Sequence, residues 1–392
     1  MSRLHHHVHS FHVTLGDPVG IGPELVARVL WDSSVRAVRT LHTTSFPSVS
    51  SSAVGGAVQP ASAHGDVPDA DGKGNRCLAD DLQAEGVAVV IHGHRATLER
   101  VAGQVGLTPT SLRWDAVEVV EPDLDVDPAQ APGVCQTAYL ESAMDRIMEQ
   151  PEGCVLVTAP INKLRARRAG FAFPGHTEFL ARRSGCGRFA MMMAGPRLKV
   201  VLATTHVAIG RLVEALTPRA VSDAIVLAGR SLVEDFGLSR PKLAICGLNP
   251  HAGEGGEFGN EEQRIIEPAM ETALEELASF QPERRGASGA SVDLVGPMPS
   301  DTLFWRAIQG DFDGVVAMYH DQGLIPVKLL DFDRTVNVTL GLPFVRTSPD
   351  HGTAEDLVGT GRASPDSMMA ACDLGLAMGR RRWGAAVDGS DR

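Results

Sequence analysis

Short apolar runs alternate with longer amphipathic stretches along most of the chain. The short runs are rich in Val, Ile and Leu, as buried strands are: "FHVTLG", "VAVVIHG", "CVLVTA", "LKVVLATTH", "PKLAICGLNPH" and "DGVVAMYHD". The stretches between them have helical periodicity, as in "PELVARVL", "ATLERVAGQVG" and "RLVEALTPRAVSDAIVLAGRSLVEDFG". Strands that alternate with helices predict an α/β fold, in which a mostly parallel sheet is covered on both faces.

Two segments depart from this alternation. Residues 43–81 consist mainly of Ser, Gly, Ala, Pro and Asp without apolar periodicity, which predicts a flexible insertion. The first twelve residues include five histidines, which we interpret as a mobile polar tail because no rigid scaffold surrounds them. The chain has 392 residues, of which 43% are hydrophobic, so we expect a sizeable core and two domains.

Charge and composition narrow the classes of function. The net charge is −12, from 36 basic and 48 acidic side chains, which argues against general binding of nucleic acid. The six cysteines form no C-x-x-C pair, and we expect buried, reduced thiols. No apolar run is long enough to span a membrane, and the first residues lack a secretory signal. We therefore expect a cytoplasmic protein with no membrane partner.

Three of the predicted strands finish in a histidine: His206 in "LATTH", His251 in "AICGLNPH" and His320 in "VAMYH". Ligands of open α/β sheets bind outside the carboxyl ends of strands, where these imidazoles can converge on one divalent cation. Imidazole suits Zn, Co, Ni or Fe, and three protein ligands leave positions open for a substrate. A single histidine would be read as an ordinary polar residue, so the prediction depends on the set of three.

Cations and helix starts that suit a phosphate or carboxylate group follow the strands as well. "GHTEFLARR" places His176 and Thr177 at the predicted start of a helix, where free N–H groups favour anions. The other candidates are Asn162, Lys163, Lys328, Asn337 and Arg346. Asp301, in "GPMPSDTLF", is either a helix N-cap or a functional acid.

Eight motifs occur in the order found in the 4-hydroxythreonine-4-phosphate dehydrogenases of vitamin B6 synthesis, and the chain resembles that family. They are "TLGDPVGIGPEL", "TAPINK", "GHTEFLA", "ATTHVAI", "GLNPHAGEGGEFGNEE", "GPMPSDTLF", "YHDQGLIPVK" and "VNVTLGLPFVRTSPDHGTAEDLVGTGRA". "GDPVGIGPE" and "HGTAEDLVGTGRASP" are also similar to segments of isocitrate and isopropylmalate dehydrogenases. "GDPVGIG" has the wrong spacing for a G-x-G-x-x-G loop, so no Rossmann fingerprint is present.

This resemblance implies an architecture of two α/β/α domains with mostly parallel sheets and an active site in the cleft between them. Residues 1–160 with 330–392 would bind the nucleotide, and residues 161–329 would hold the metal and the substrate and form the dimer. The resemblance implies that His206, His251 and His320 bind one divalent ion, with one histidine supplied by the partner subunit of a homodimer. We expect Zn²⁺, with Mg²⁺ or Co²⁺ as alternatives.

The remaining site residues are also implied by the resemblance. The substrate would be bound by His176, Thr177, Lys328, Asn337 and Arg346. NAD(P)⁺ would be bound around Asp350, His351 and Gly352. Asp301 and Lys328 would be catalytic.

The reaction that the resemblance implies is oxidation of 4-phosphooxy-L-threonine at C3 by NAD(P)⁺, followed by decarboxylation to 3-amino-2-oxopropyl phosphate. The metal would act as a Lewis acid towards the developing alkoxide. Lys328 and Arg346 would neutralise the phosphate and the carboxylate. The sequence does not assign the phosphate to one of these residues and the carboxylate to the other. The proton acceptor is either Asp301 or a metal-linked water.

The sequence leaves three alternative functions open. A paralogue that oxidises 4-phospho-threonate or 4-phospho-erythronate would share the metal and the hydride step. A three-histidine metal hydrolase would need no nicotinamide, and "DHGTAEDLVGTG" argues against it. A binding module without activity is disfavoured by the intact set of histidines and cations.

Overall fold

The computed structural model describes residues 7–32, 77–108, 111–282 and 289–384. Its strands form one eleven-stranded sheet in the order β3-β2-β1-β4-β11-β10-β5-β6-β9-β7-β8. The strands are β1 (Ser10–Thr14), β2 (Ala88–His92), β3 (Glu118–Val120), β4 (Cys154–Thr158), β5 (Ala190–Ala194), β6 (Lys199–Leu202), β7 (Lys242–Cys246), β8 (Asp293–Met298), β9 (Gly314–Ala317), β10 (Val336–Leu340) and β11 (Val345–Pro349).

Most neighbouring strands are parallel, which confirms the predicted α/β class. The exceptions lie in the middle of the sheet, where β10 is antiparallel to β11 and β5, and β5 is antiparallel to β6. Two parallel regions are thus joined by an antiparallel centre. The predicted domain boundaries would divide the sheet between β10 and β5, and this division stays a prediction.

Helices cover both faces of the sheet. They are α1 (Gly22–Trp31), α2 (Leu78–Ala84), α3 (Arg95–Gln104), α4 (Pro132–Glu149), α5 (Lys163–Arg168), α6 (His176–Arg183), α7 (Leu212–Ala215), α8 (Pro218–Glu234), α9 (Glu267–Ser279), α10 (Ser300–Ile308), α11 (His320–Asp331) and α12 (Asp366–Trp383). Alternate residues of β4 enter different clusters: Val155 and Val157 belong to one, and Cys154 and Leu156 to another. Apolar side chains therefore cover β4 on both sides.

The structure corrects the end of the predicted insertion. Residues 78–81 form the first turn of α2, and Leu78 and Leu82, one helical turn apart, are buried in the core. The insertion therefore ends before residue 78, because these leucines form one apolar face of a helix. The rest of that prediction, residues 43–76, lies outside the described residues.

Other sequence predictions have mixed outcomes. None of the six cysteines forms a disulfide, and each is buried except Cys186, which is half-buried. Within the described ranges, no helix combines the length and the apolar character needed to cross a membrane.

The prediction of a mobile polar tail at the N-terminus is wrong for two of its histidines. His9 contacts the carbonyl oxygen of Glu152 at 2.8 Å, and His12 lies inside β1.

His12 and its partner His92 form a buried histidine pair between two adjacent strands. The two side chains are 2% and 0% exposed, and His12 Nδ1 lies 3.1 Å from His92 Nε2. Their other ring nitrogens contact hydroxyl groups, His12 that of Ser10 at 3.0 Å and His92 that of Ser142 at 2.9 Å. Burial is the main cause that lowers the pKa of His12 to about 4 and that of His92 to about 3.

We expect this pair to make the fold acid-sensitive. Both rings stay neutral in the folded protein, whereas the unfolded chain takes up a proton on each near the ordinary value of 6.5. The contribution to stability is therefore complete above about pH 6.5 and is lost as the pH falls towards 4. The free energy of unfolding should fall by up to about 1.4 kcal/mol per pH unit for each histidine.

Urea unfolding curves over this pH range provide the measurement. His12→Gln should remove about one proton from the pH dependence of unfolding. An unchanged slope in His12→Gln would show that the pair does not govern acid stability.

Candidate functional site

Two of the three predicted metal ligands lie side by side. β6 and β9 are adjacent and parallel, and the segments after them bring the rings of His206 and His320 to a centroid distance of 5.8 Å. His320 is the first residue of α11, and its Nδ1 contacts Asp321 Oδ1 at 2.7 Å. A carboxylate in this position fixes the ring orientation and directs Nε2 towards a ligand.

The third predicted ligand, His251, is presented by an unusual loop after β7. In this loop His251, Ala252 and Glu254 have φ values of 52°, 54° and 42°, and Gly253 between them is also left-handed. Non-glycine residues in this region cost on the order of 1–3 kcal/mol each, and such strain clusters at functional sites. The ring of His251 is exposed and contacts the ring of Phe258 at a centroid distance of 5.9 Å.

The buried carboxylate of Glu262 stabilises the strained loop by hydrogen bonds. It is 2% exposed, and its Oε1 accepts the backbone N–H groups of Leu248 and Asn249 at 2.7 and 2.8 Å. Its Oε2 accepts from the side-chain amide of Asn249 at 3.0 Å, and a Cβ added to Gly253 would lie 2.7 Å from the same oxygen. The loop conformation therefore depends on a buried carboxylate and on a glycine.

The three histidines fit a divalent metal by their chemistry, and the described chain brings two of them together. Within the described ranges, no group of three or more His, Cys, Asp or Glu residues is arranged to hold a metal ion. His206 and His320 thus form a pair that His251 of the same chain does not join. Burial, followed by the charges of Lys163 and His320, lowers the pKa of His206, which favours the neutral ring that metal binding requires.

A buried cation, Arg346, lies in β11 with a side chain that is 3% exposed. Its Nη1 donates to Thr339 Oγ1 at 3.0 Å, and its Nη2 donates to Thr158 Oγ1 at 2.7 Å. Nη2 also lies 3.3 Å from His176 Nδ1, while the buried Nε has no hydrogen-bond partner. The position follows from the sheet, because Thr339 is the cross-strand partner of Arg346. In the described chain no carboxylate forms an ion pair with Arg346, although the charge of Glu178 acts on the guanidinium.

The protonation states around Arg346 also suit an anion. Burial lowers the pKa of Arg346 to about 10, so the group remains charged at neutral pH. Burial, followed by the charges of Arg346 and Lys163, lowers the pKa of His176 well below its ordinary value. A neutral His176 whose Nδ1 accepts from Arg346 carries its proton on Nε2, which can donate to a ligand.

Thr177 and Asn337 continue this polar surface. Thr177 is buried, and its hydroxyl lies 3.4 Å from that of Thr339. Asn337 precedes Thr339 by two residues in β10, so both side chains lie on one face of the sheet. The buried Oδ1 of Asn337 has no hydrogen-bond partner. The structure thus brings His176, Thr177 and Arg346 together, with Asn337 on the same face.

Lys328 lies in α11 and is paired with an acid. Its Nζ is 2.8 Å from Asp350 Oδ2, immediately after β11. This contact joins a residue predicted to bind substrate to one predicted to bind nucleotide.

The turn after Asp350 is the segment predicted to bind the nucleotide. His351 Nδ1 contacts the carbonyl oxygen of Gly352 at 2.9 Å, and a Cβ added to Gly352 would meet open space. In the described part of the chain, the backbone N–H groups of residues 351–354 have no hydrogen-bond acceptor. Exposed N–H groups in such a turn favour anionic oxygens.

Two roles were predicted for Asp301, and the structure excludes one of them, that of a helix N-cap. Pro299 occupies the N-cap position of α10, and Asp301 is an exposed residue of the first turn. Gln322 Nε2 donates to Ser300 Oγ at 2.7 Å, which ties the start of α10 to the start of α11. The catalytic role of Asp301 stays a prediction.

The sequence analysis did not identify Glu178 as a residue of the site, although its charge acts on both Arg346 and His206. A Cβ added to Gly175 would lie 3.5 Å from Glu178 Oε2 and 3.8 Å from Lys163 Nζ. The charge of Lys163 lowers the pKa of both His176 and His206, so Lys163 lies close to both groups of the site. Glu178 follows His176 and Thr177 directly, but an acid in the first turn of a helix is common for electrostatic reasons alone.

Comparisons with known proteins agree over most of the chain. Residues 85–375 match the family described as "Pyridoxal phosphate biosynthetic protein PdxA". The 4-hydroxythreonine-4-phosphate dehydrogenase of Desulfosudis oleivorans is 41% identical over 93% of this chain and 94% of its own. That of Geobacter metallireducens is 39% identical over 94% and 95%. The crystal structure of the enzyme of that name from Klebsiella pneumoniae aligns with a TM-score of 0.66 at 32% identity, covering 95% of this chain and 99% of that chain.

Proposed function

Since the chain belongs to the PdxA family of pyridoxal phosphate biosynthetic proteins, we propose that it oxidises 4-phosphooxy-L-threonine at C3 with NAD(P)⁺. Decarboxylation of the resulting β-keto acid would give 3-amino-2-oxopropyl phosphate. Family membership supports a dehydrogenase that acts on a CH–OH group over the metal hydrolase and the inactive module.

One observation supports the proposal above the others: the guanidinium of Arg346 is buried and forms no ion pair within the described residues. Burying a charge is costly unless it is paired, so this cation suits a site that an anionic substrate completes. His176 Nε2–H and the ammonium of the nearby Lys163 add donors beside it. The proposed substrate has a phosphate and a carboxylate, which these groups would bind and neutralise.

Different residues of the site would bind the metal ion and the substrate. His206 and His320 would hold a divalent ion, which when bound acts as a Lewis acid towards the substrate hydroxyl. Thr177 and Asn337 would orient the substrate beside Arg346, and Asn337 Oδ1 offers an acceptor that is otherwise unsatisfied. Lys328, beside Asp350, would contact the substrate at the border of the nucleotide turn.

A homodimer would complete the metal site, with His251 supplied by the partner subunit. The proposal is supported by the separation of His251 from the other two histidines and by large apolar side chains on α10, on α11 and directly after α11. These side chains are exposed to solvent in the single chain: Trp305 64%, Ile308 38%, Ile325 57%, Leu329 81% and Phe332 65%. Exposed apolar side chains of this size are typical of an interface between subunits.

The deciding experiment measures NAD(P)H formation with added Zn²⁺, Mg²⁺ or Co²⁺ and two substrates. We expect turnover of 4-phosphooxy-L-threonine, with loss of activity in strong chelator and recovery when the metal is returned. Faster turnover of 4-phospho-threonate would favour the paralogue. Full activity without metal, or no reduction of either nucleotide, would contradict the proposed reaction.

A further inference from the structure

Arg165 in α5 joins two loops that are distant in sequence. Its Nη1 donates to Asp17 Oδ2 at 2.8 Å and to Glu355 Oε1 at 2.8 Å, and its Nη2 donates to Glu355 Oε2 at 2.7 Å. The side-chain amide of Asn162, the N-cap of α5, donates to Glu355 Oε1 at 3.0 Å. Glu355 therefore receives a two-pronged contact from Arg165 and a third bond from the start of the same helix.

The Asp17 side of this contact is fixed. Asp17 is 0% exposed, its N–H donates to the carbonyl oxygen of Pro160 at 2.9 Å, and its Oδ1 accepts from the N–H of Val19 at 3.1 Å. Arg165 is thus anchored to a rigid loop that follows β1. A guanidinium held by a buried carboxylate keeps its second set of donors in a defined direction.

The Glu355 side belongs to the turn with free N–H groups. Ala354, directly before Glu355, has a left-handed φ of 38°. The carbonyl oxygen of Thr353 accepts from the N–H of Ile21 at 2.9 Å, and a Cβ added to Gly20 would lie 3.0 Å from Thr353 Cβ. The turn is therefore packed on the Asp17 loop at one point and tied to it by Arg165 at another.

We propose that Arg165 is a positioning residue that holds residues 351–357 in the conformation that binds the phosphates of NAD(P)⁺. The inference rests on the proposed function, because it assumes a nucleotide at this turn. Arg165 acts through Glu355 and does not touch the nucleotide. The pair is partly exposed, at 31% and 40%, so its main effect is on the shape of the turn and its effect on global stability is small.

Calorimetric titration of NAD⁺ and NADP⁺ into the full-length protein, without substrate, tests this role. Glu355→Gln removes the charge with little change in shape, and Arg165→Lys keeps the charge but loses the planar fork. Arg167→Lys, at an exposed position of the same helix, is the matched control. We expect each test variant to raise the dissociation constant of the preferred nucleotide by roughly three- to tenfold, and the double variant to add little, because the two side chains act as one unit.

Two further readouts separate positioning from general damage. The melting temperature should change by no more than about 3 °C, and the KM for the phosphorylated substrate should stay within about twofold of the parent value. Unchanged nucleotide affinity in both single variants would overturn the role of Arg165. If the parent protein binds neither nucleotide, the proposed function itself fails, which is a different result.

Discussion

Replacement of Arg346 by methionine should nearly abolish turnover and leave the protein at least as stable as the parent. Loss of one member of a buried charge pair with the substrate costs about 2–5 kcal/mol, which corresponds to a fall in kcat/KM of roughly thirty- to several thousandfold. The fold should not suffer, because methionine removes a desolvated charge whose partners are the neutral groups of Thr158, Thr339 and His176.

Steady-state kinetics and thermal unfolding of the same preparations check both halves of this expectation. Arg346→Lys is the control: it keeps the charge but not the fork, and should lose about 1–3 kcal/mol in kcat/KM. Nucleotide affinity should change little in either variant. A large drop in melting temperature for Arg346→Met would identify the residue as structural. A selective loss of NAD(P)⁺ binding would place it in the nucleotide site instead.

Mixtures of inactive histidine variants should recover activity in a pattern set by geometry. His206→Ala, His251→Ala and His320→Ala should each reduce turnover by orders of magnitude with little change in melting temperature. Because His206 and His320 lie in one chain at a centroid distance of 5.8 Å, a mixture of these two variants has no intact site. A mixture of His206→Ala with His251→Ala should regain up to about a quarter of the parent activity, because about half of the dimers are mixed and each contains one intact site.

Subunit exchange has to be verified independently, for example with chains that carry different affinity tags. His320→Ala mixed with His251→Ala should behave like the productive pair. Recovery in the mixture of His206→Ala with His320→Ala would show that these two ligands come from different chains. No recovery in any mixture after proven exchange would contradict a shared metal site.

The sequence predicted the elements whose residues form uniform patterns. β1, β2, β4, β6, β7 and β9 were all anticipated, because runs of β-branched and apolar residues indicate buried parallel strands. The antiparallel centre was not. β5 is "AMMMA", which lacks β-branched residues, and "VNVTL" of β10 alternates apolar and polar positions beside a turn-rich segment. Only pairing with neighbouring strands identifies such segments.

The positions of the candidate residues in the fold could be predicted in part, while their roles stay predictions. Strand ends located His206 and His320, and a helix start located His176 and Thr177, because both are local features of the chain. The resemblance implied that one histidine comes from the partner subunit, but not which one. The position of His251 could not be foreseen, since a run of left-handed residues depends on the buried carboxylate of Glu262. Which residue a side chain contacts also depends on the tertiary structure, as the contact between His12 in β1 and His92 in β2 shows.

Under the proposed function, the ion pair between Lys328 and Asp350 would make two binding events depend on each other. An anionic substrate at Lys328 would have to share or displace the contact with Asp350, and this would change the electrostatic potential at the proposed nucleotide turn. Thermodynamic reciprocity then requires that bound nucleotide alter the affinity for substrate by the same factor as bound substrate alters the affinity for nucleotide. Heterotropic coupling of this kind would have its structural origin in a single salt bridge, without any movement of the sheet.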